Sequence, residues 1–221
     1  MSGVIVYGDI ISQPTRSVVN FCKLSNIQFT FHDIPLFTEA NNTKEFIAIN
    51  PFQSIPAITH DGYNVWESAA EVVYLAEAFN VDNQWYPKDA RLRARINAYL
   101  HWHHQNTREP LLSYLVAKIL SPKFFGGAEL TPETEAPYKE KMKNFFETLT
   151  WLLSETRYIA RTPTATIADI FAFNEISTAM GVGLDMEPFP AVKTWFAEIG
   201  AIPEVAEALA QAQEAIKKKL G

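Results

Sequence analysis

Three segments near the start of the chain hold residues whose types and spacing could do chemistry. The first is SQPTR at residues 12–16, which lies between the apolar run 4–7 and the amphipathic stretch 17–24. This order places the hydroxyl of Ser12 in a strand-to-helix turn, where backbone N–H groups and the helix dipole stabilise a bound anion or thiolate. Ser12 is therefore the first candidate for a catalytic residue.

The second and third segments offer backbone groups to a ligand. Ile55 precedes Pro56 at the entry to a short strand, and the peptide bond between them can be cis or trans. A cis bond would turn the N–H and C=O of Ile55 outward, where they would pair with a peptide-like ligand as an added strand does. Glu67 and Ser68 begin the next helix, whose N-terminal N–H groups suit a carboxylate. The three segments together indicate a binding site more specifically than any one of them.

Periodicity divides the chain into a mixed N-terminal part and a helical C-terminal part. Residues 1–80 predict the order β-α-β-α-β-β-α, a small α/β domain with a mixed sheet. Residues 81–89 break the periodicity and are interpreted as a linker. Residues 90–221 predict an all-helical domain, whose first long helix contains Pro110, a site for a bend. The predicted strands are 4–7, 27–34, 57–59 and 63–66, and the predicted helices are 14–24, 44–49, 68–78, 90–120, 132–155, 166–180, 190–199 and 203–220.

Composition sets the broad class of the protein. Of the 221 residues, 48% are hydrophobic and 20% are charged, which is typical of a globular protein with a well-buried core. The formal net charge of −6 gives no electrostatic case for nucleic-acid binding. No apolar run approaches the length of about 18 residues that a membrane span needs. Cys22 is the only cysteine and no secretory signal is visible, so we expect a cytoplasmic protein.

Six motifs are spread in order along most of the chain. They are SQPTR (12–16), NPFQSIPAI (50–58), WESAAEVVYLAEAF (66–79), WYPKD (85–89), HWHHQNTR (101–108) and TIADIFAF (166–173). In this set the chain resembles theta-class glutathione transferases. The resemblance implies a thioredoxin-like domain with a mixed four-stranded sheet at 1–80, a linker at 81–89 and an all-helical domain at 90–221 that contributes the electrophile pocket. It also implies a homodimeric detoxification enzyme that conjugates glutathione to small hydrophobic electrophiles, with no metal.

The resemblance assigns a role to each matching residue. Ser12 is expected to donate a hydrogen bond to the glutathione sulfur and to favour the thiolate, with Gln13 beside it. The backbone of Ile55 is expected to pair with the cysteinyl segment, and Glu67 with Ser68 to hold the γ-glutamyl end. The glutathione-binding residues expected on this basis are Gln13, Asn41, Ser54, Ile55, Pro56, Glu67, Ser68 and Arg108. The expected electrophile pocket comprises Ile10, Ile11, Leu112, Leu115, Phe124 and Phe125.

Three positions depart from the family's pattern. Asn41 stands where relatives often carry a histidine or another basic group for the glycine carboxylate, and Ser54 stands where many carry lysine. Neutral groups form weaker hydrogen bonds to a carboxylate than charged ones, so we expect weak glutathione binding. Glu71 stands at a position that is expected to be apolar. Its spacing from Ser68 predicts a capping box, in which the carboxyl of Glu71 accepts from the N–H of Ser68. On that interpretation Glu71 competes with the γ-glutamyl carboxylate, and Glu71→Gln tightens glutathione binding.

Several residues have a structural interpretation beside the functional one. Ser12 could serve as the cap of its helix and have no catalytic role. Tyr7 could supply the hydroxyl in its place. Cys22 lies on the apolar side of the first helix, which is typical of an inert core residue. Arg108 could serve as an ion-pair partner of Glu109 or another surface acid. The histidines at 101, 103 and 104 lack clear metal-ligand spacing. Thr166 to Asp169 predicts a capping box, and the lysines at 217–219 predict a solvated helix face.

Two other functions remain open at this point. The same glutathione site could serve a glutathione-dependent peroxidase or dehalogenase, which differs from the transferase only in its acceptor. The fold could also serve as a non-catalytic binding or assembly module, because fold alone does not fix function. Retention of Ser12, Ile55–Pro56 and Glu67–Ser68 favours the enzyme.

Overall fold

A computed structural model describes residues 3–220 and divides them into two compact units. Met1 and Ser2, which begin the stretch in which no secretory signal is visible, lie outside the described residues, as does Gly221. The first unit comprises the residues up to Asp89 and those from Ala201 onward. Its elements are β1 (Val4–Gly8), α1 (Gln13–Leu24), β2 (Phe29–Asp33), a 3₁₀ turn (Ala40–Asn42), α2 (Lys44–Ile49), β3 (Ala57–His60), β4 (Tyr63–Trp66) and α3 (Ser68–Ala78).

The four strands form one mixed sheet in the order β2-β1-β3-β4. β1 pairs in parallel with β2, while β3 runs antiparallel to both β1 and β4. The hairpin from β3 to β4 turns through Asp61 and Gly62, both at positive φ, as the Asp-Gly pair in the sequence predicts. The predicted thioredoxin-like α/β architecture with a mixed four-stranded sheet is confirmed.

Gly8 at the end of β1 is required by a close approach of the first helix. A Cβ atom at this position would lie 2.5 Å from Cγ2 of Thr15, a residue in the first turn of α1. The start of α1 therefore sits directly against the end of β1, which forces the connecting residues into a tight loop. That loop carries Ser12.

The second unit, from Ala90 to Gly200, is entirely helical in the structure. The predicted helix at 90–120 is present but contains two π-helical turns, His104–Arg108 and Val116–Leu120, the first of which directly precedes the segment holding Pro110. The helices are α4 (Ala90–His103), α5 (Glu109–Leu115), α6 (Ser121–Phe124), α7 (Pro132–Leu153), α8 (Ile167–Ala179) and α9 (Pro190–Gly200), with a 3₁₀ turn at Met180–Val182.

Asp169 has the structural role that the sequence predicts for it. Its Oδ2 accepts from the N–H of Thr166 at 2.8 Å, which closes the predicted capping box at the start of α8. Its Oδ1 accepts from the N–H of Ile159 at 3.0 Å and from Nε1 of Trp195 at 2.9 Å. Burial raises the pKa of this carboxyl, while these hydrogen bonds lower it. Asp169 thus ties together three segments of the helical unit.

The final helix, α10 (Pro203–Leu220), differs in its grouping from the sequence-based domain boundaries. Those boundaries place it in the helical domain, whereas its contacts group it with the sheet-containing unit. Nδ2 of Asn20 donates to the carbonyl of Glu204 at 2.9 Å, and Nζ of Lys23 lies 2.8 Å from Oε2 of Glu207. Both contacts join α1 to α10. Throughout 3–220, no helix has the length and apolar character needed to cross a membrane.

Candidate active site

The register of the sheet brings the three candidate segments to one end of the first unit. Tyr7 on β1 pairs with Ala57 on β3, and Ala57 pairs with Trp66 on β4. The chain leaves β1 beyond Tyr7 toward Ser12, enters β3 from Pro56 and leaves β4 into Glu67. Neighbouring strands lie about 4.8 Å apart, so these exits span about 10 Å. That width suits an extended ligand of tripeptide size.

Ser12 is the N-cap residue of α1 and is 5% exposed. Its N–H donates to the carbonyl of Asp9 at 2.9 Å, and its Oγ accepts from the N–H of Thr15 at 3.5 Å. The second contact is long for a hydrogen bond. Because a hydroxyl has one donor and two acceptor sites, this capping contact uses no donor and leaves the O–H able to bind an anion. The two interpretations of Ser12 are therefore compatible.

Arg16 fixes the loop that carries Ser12, although the sequence suggests no separate role for it within SQPTR. Its side chain is 1% exposed, and Nη1 donates to the carbonyls of Ile10 at 3.1 Å and Ile11 at 2.8 Å. A buried guanidinium needs such acceptors, and its fixed geometry holds both carbonyls at once. An arginine four residues after the N-cap, within reach of the preceding loop, is the signal that could have identified it.

The peptide bond between Ile55 and Pro56 is cis, which answers the question that the sequence leaves open. The loop before it is held by Asn50, a fully buried residue whose Nδ2 donates to the carbonyl of Ser54 at 2.7 Å and to its Oγ at 3.2 Å. Nδ2 of Asn41 donates to the carbonyl of Gln53 at 2.8 Å. Asn41 therefore contacts the loop that leads to Ile55, and Ser54 is part of that loop.

Glu67 has an unusual backbone conformation at the end of β4. Its φ of 70° lies in the left-handed region, which costs a non-glycine residue about 1–3 kcal/mol and is concentrated at functional sites. Glu67 is the N-cap of α3, yet its side chain makes no capping hydrogen bond. Ser68 follows at the first helical position and is 4% exposed. The start of α3 is thus a helix N-terminus suited to a carboxylate ligand.

The predicted capping box between Ser68 and Glu71 is wrong. Glu67 is the N-cap of α3, and both carboxyl oxygens of Glu71 are buried with no hydrogen-bond partner among the described residues. Burial, followed by the nearby charge of Glu67, raises the pKa of Glu71 well above its ordinary value. Because the Glu71 carboxyl does not reach the N–H of Ser68, it does not compete for it. The reason to expect tighter binding in Glu71→Gln is thereby removed.

Cys22 and Tyr7 occupy the environments expected of core residues. Cys22 is fully buried, and burial, followed by the charge of Glu71, raises the pKa of its thiol to about 12. The thiol is therefore protonated at neutral pH and poorly nucleophilic. Tyr7 packs against the small core around Phe46, with its ring centroid 6.3 Å from that of Phe46 and 5.1 Å from that of His32.

Arg108 lies in the first π-helical turn of the helical unit, a type of irregularity that is frequent at functional sites. Its Nη1 donates to Oε1 of Glu175 on α8 at 2.7 Å. Glu109, the partner considered from the sequence, pairs with Lys141 at 3.1 Å instead. Glu175 is 2% exposed, and nothing in the spacing of the sequence suggests this pairing.

His103 is a buried packing residue. Its Nδ1 lies 2.6 Å from the carbonyl of Leu100, and burial, followed by the neighbouring His104, lowers its pKa to about 4. Within residues 3–220, no group of three or more His, Cys, Asp or Glu side chains is arranged to hold a metal ion.

The residues expected to contact an electrophile belong to both units. In the first unit, Ile10 and Ile11 are half-buried and their carbonyls bind Arg16. In the second unit, Leu112 and Leu115 are half-buried on α5, while Phe124 and Phe125 are exposed at the end of α6.

Comparison with known proteins identifies the family. The family model of the glutathione S-transferase N-terminal domain matches residues 5–77, which include all three candidate segments. Theta-1 glutathione S-transferase of the mouse (Mus musculus) is 30% identical over 197 residues, which cover 89% of this chain and 82% of the mouse protein. The chain belongs to the glutathione S-transferase family. The prediction of a transferase enzyme of theta type is confirmed.

Solved structures of theta-class transferases match almost the whole chain. Human glutathione S-transferase T1-1 in its apo form superposes with a TM-score of 0.87 at 29% identity, over 97% of this chain and 89% of the human chain. Human theta-2, in a complex with glutathione and an unknown ligand, superposes with a TM-score of 0.83 at 26% identity, over 98% and 91%. The fold of this transferase is therefore that of its class in both units.

Proposed function

We propose that this transferase binds glutathione at the end of its sheet and conjugates it to small hydrophobic electrophiles. The observation that carries the proposal is the register that aligns Tyr7, Ala57 and Trp66. It supports one ligand that meets the Ser12 turn, the backbone of Ile55 beside Pro56, and the start of α3. Gln13 is included because it adjoins Ser12 in α1.

The chemical task of Ser12 is to raise the thiolate fraction of glutathione. A free thiol has a pKa of about 8.5, so about 3% is ionised at pH 7. The Ser12 O–H donates to the sulfur and favours its charged form, and the N-terminus of α1 adds its dipole in the same direction. Each unit by which the pKa of the thiol falls corresponds to about 1.4 kcal/mol. Holding the sulfur beside the electrophile adds the advantage of proximity.

The two ends of glutathione are held with unequal strength. The γ-glutamyl carboxylate binds the uncapped N-terminus of α3 at Ser68, while Glu67 faces the γ-glutamyl amine. The glycine carboxylate meets Asn41 and Ser54, which are neutral and are already hydrogen-bonded, to the carbonyl of Gln53 and to Nδ2 of Asn50 respectively. Because neither brings a positive charge, we expect weaker binding of the glycine end.

The acceptor is a small apolar molecule. Ile10, Ile11, Leu112, Leu115, Phe124 and Phe125 are the side chains proposed to contact it, since all are apolar and only half-buried or exposed. Arg108 remains in the proposed glutathione-binding set because the HQNTR motif resembles that of the family. No metal takes part in this proposed reaction.

We also propose that the protein is a cytoplasmic, homodimeric detoxification enzyme. The exposed aromatic residues of the first unit include Phe52, Tyr63 and Phe79, at 69%, 63% and 40%. Exposed apolar surface of this kind favours association. Sedimentation equilibrium of the purified protein tests this part: a dimer is expected, and a monomer at assay concentrations would contradict it.

The experiment that tests the function is a panel of glutathione-dependent assays on the wild type and on Ser12→Ala. The panel comprises an alkyl halide, an activated aryl halide and a cumyl-type hydroperoxide. We expect conjugation of at least one halide, with kcat/KM reduced about tenfold or more in Ser12→Ala because the thiolate loses its hydrogen bond. Turnover of the hydroperoxide alone would favour the peroxidase alternative. Equal activity of the two proteins on every acceptor would refute the role of Ser12.

A further inference from the structure

Asp9 links the loop that carries Ser12 to two other parts of the first unit. Its side chain is 5% exposed, and Oδ1 accepts from the N–H of Ile11 at 3.0 Å. Oδ2 accepts from the N–H of Leu36, which follows β2, at 2.8 Å. The carbonyl of Asp9 accepts the N–H of Ser12 at 2.9 Å. The backbone and side chain of Asp9 together set the turn from Asp9 to Ser12.

Lys219 supplies the charge opposite Asp9 from the far end of the chain. Its Nζ lies 2.7 Å from Oδ2 of Asp9 and 3.5 Å from the carbonyl of Leu36. The interpretation of residues 217–219 as a solvated face holds, since all three residues are exposed, but the side chain of Lys219 is only 34% exposed and also pairs with Asp9. Lys218 fits it, because it pairs with Glu214 while both side chains stay exposed.

The position of Lys219 is fixed by the packing of α10. Contacts of Glu204 and Glu207 with α1 anchor the start of this helix, and Lys219 bonds Asp9 in its last turn. These three contacts, spaced along α10, hold this helix against the rest of the first unit. The packing of α10 therefore places the ammonium group of Lys219 beside Asp9.

The charge of Asp9 matters because it lies three residues before Ser12. A buried carboxylate beside an anion-binding turn disfavours a thiolate there, since like charges raise the pKa of an acid. Asp33, at the end of β2, reports the field at this place. After burial, the charge of Asp9 raises the pKa of Asp33, while the charges of Lys219 and His32 lower it.

Other charged groups also lie near this carboxylate. Asp33 and His32 approach from β2, and Arg16 on α1 donates to the carbonyls of the same loop. Lys219 bonds Asp9 directly, with its Nζ 2.7 Å from Oδ2.

We propose that Lys219 and Asp9 are positioning residues for the proposed thiolate site: Lys219 neutralises the buried Asp9 carboxylate and fixes it, so that the turn it braces presents Ser12 without a net negative charge beside the sulfur. The inference rests on the proposed role of Ser12. It gives the last turn of α10 a part in the reaction proposed at the turn that carries Ser12.

The test compares the pH profile of kcat/KM in Lys219→Met with that of the wild type. Lys218→Met is the matched control, because it removes the neighbouring charge from an exposed pair, and Lys219→Arg is the conservative variant. We expect the apparent pKa of the thiol to rise by about 0.5–1 unit in Lys219→Met, which lowers kcat/KM about threefold to tenfold on the acid side of the profile. Lys218→Met and Lys219→Arg are expected to follow the wild type.

A charge-specific control separates neutralisation from general damage. Adding Asp9→Asn to Lys219→Met removes the uncompensated charge, so the apparent pKa should return toward the wild-type value. If Lys219→Met has the same pH profile as Lys218→Met, or if Asp9→Asn does not restore it, the proposal is overturned.

A second measurement is independent of glutathione. Amide hydrogen exchange of Ile11 and Leu36 should become at least about tenfold faster in Lys219→Met, because both N–H groups bond the carboxylate that Lys219 fixes. Unchanged exchange would contradict the bracing role even in a protein that conjugates nothing. Wild-type protein without glutathione-dependent activity would instead refute the proposed function, so the two failures are distinguishable.

Discussion

The guanidinium of Arg108 donates a 2.7 Å hydrogen bond to the buried carboxylate of Glu175, which joins a π-helical turn to helix α8. We expect a double-mutant cycle of Arg108→Met and Glu175→Gln to give a coupling free energy of about 1–3 kcal/mol, because residues that share one ion pair do not contribute additively. Urea unfolding of the four proteins measures it. The pair formed by Lys143 and Glu147, which are both exposed, is the matched control and should give less than about 1 kcal/mol. Equal coupling in the two cycles would contradict this account.

Glu71 makes the stability of the protein depend on pH. Burial raises its pKa, so the folded state holds a proton that the unfolded state releases above its ordinary pKa of about 4.3. Stability from this group is fully present below that pH and declines as the pH rises, by up to about 1.4 kcal/mol per pH unit. We expect Glu71→Gln to flatten the decline in the free energy of unfolding as the pH rises above about 4.3. Parallel curves for the wild type and Glu71→Gln would contradict it, and the exposed Glu45→Gln should match the wild type.

Asp169 is expected to support stability without taking part in the reaction. Asp169→Asn places an N–H₂ donor among backbone and indole N–H donors, which should lower the free energy of unfolding by about 2–4 kcal/mol. Chemical denaturation measures this loss, and kcat/KM per folded molecule should be unchanged. Asp185→Asn, at an exposed position, is the control. A variant of normal stability with lost activity would instead show that Asp169 takes part in the reaction.

The weak hold on the glycine carboxylate can be strengthened at Ser54. Ser54→Lys introduces a positive charge at an exposed position, and we expect the dissociation constant for glutathione to fall about threefold to tenfold. Isothermal titration calorimetry measures it. Ser54→Met also loses the hydrogen bond from Asn50 but adds no charge, so it should not tighten binding. Similar constants for Ser54→Lys and Ser54→Met would contradict the proposed place of the carboxylate.

Local patterns in the sequence predict the elements of the first unit well. The helices at 44–49 and 68–78 and the strand at 63–66 have the bounds predicted for them. Asn50-Pro51 stops the first of these helices and the Asp-Gly turn precedes the strand, and both are strong local signals. Ser12 follows β1, Ile55–Pro56 precede β3, and Glu67–Ser68 follow β4. The register of these three strands brings the segments to one end of the sheet.

Contacts between residues distant in sequence could not be predicted in this way. Asp9 and Lys219 are 210 positions apart, and Arg108 and Glu175 are 67 apart. Charge patterning identifies neighbours on one helix but contains no information about which buried acid a distant lysine meets. The capping-box prediction for Glu71 was wrong for a related reason. The spacing of a capping box does not reveal that α3 begins one residue earlier than the box requires, or that the carboxyl of Glu71 is buried in the interior.

The most direct measurement of the central claim is the pKa of glutathione bound to the wild type and to Ser12→Ala. The thiolate is followed by its ultraviolet absorbance across a pH titration of the complex. The account predicts a bound thiol with a pKa below the free value of about 8.5, rising by about one unit or more when the Ser12 hydroxyl is removed. Bound glutathione with the same pKa in both proteins would contradict it.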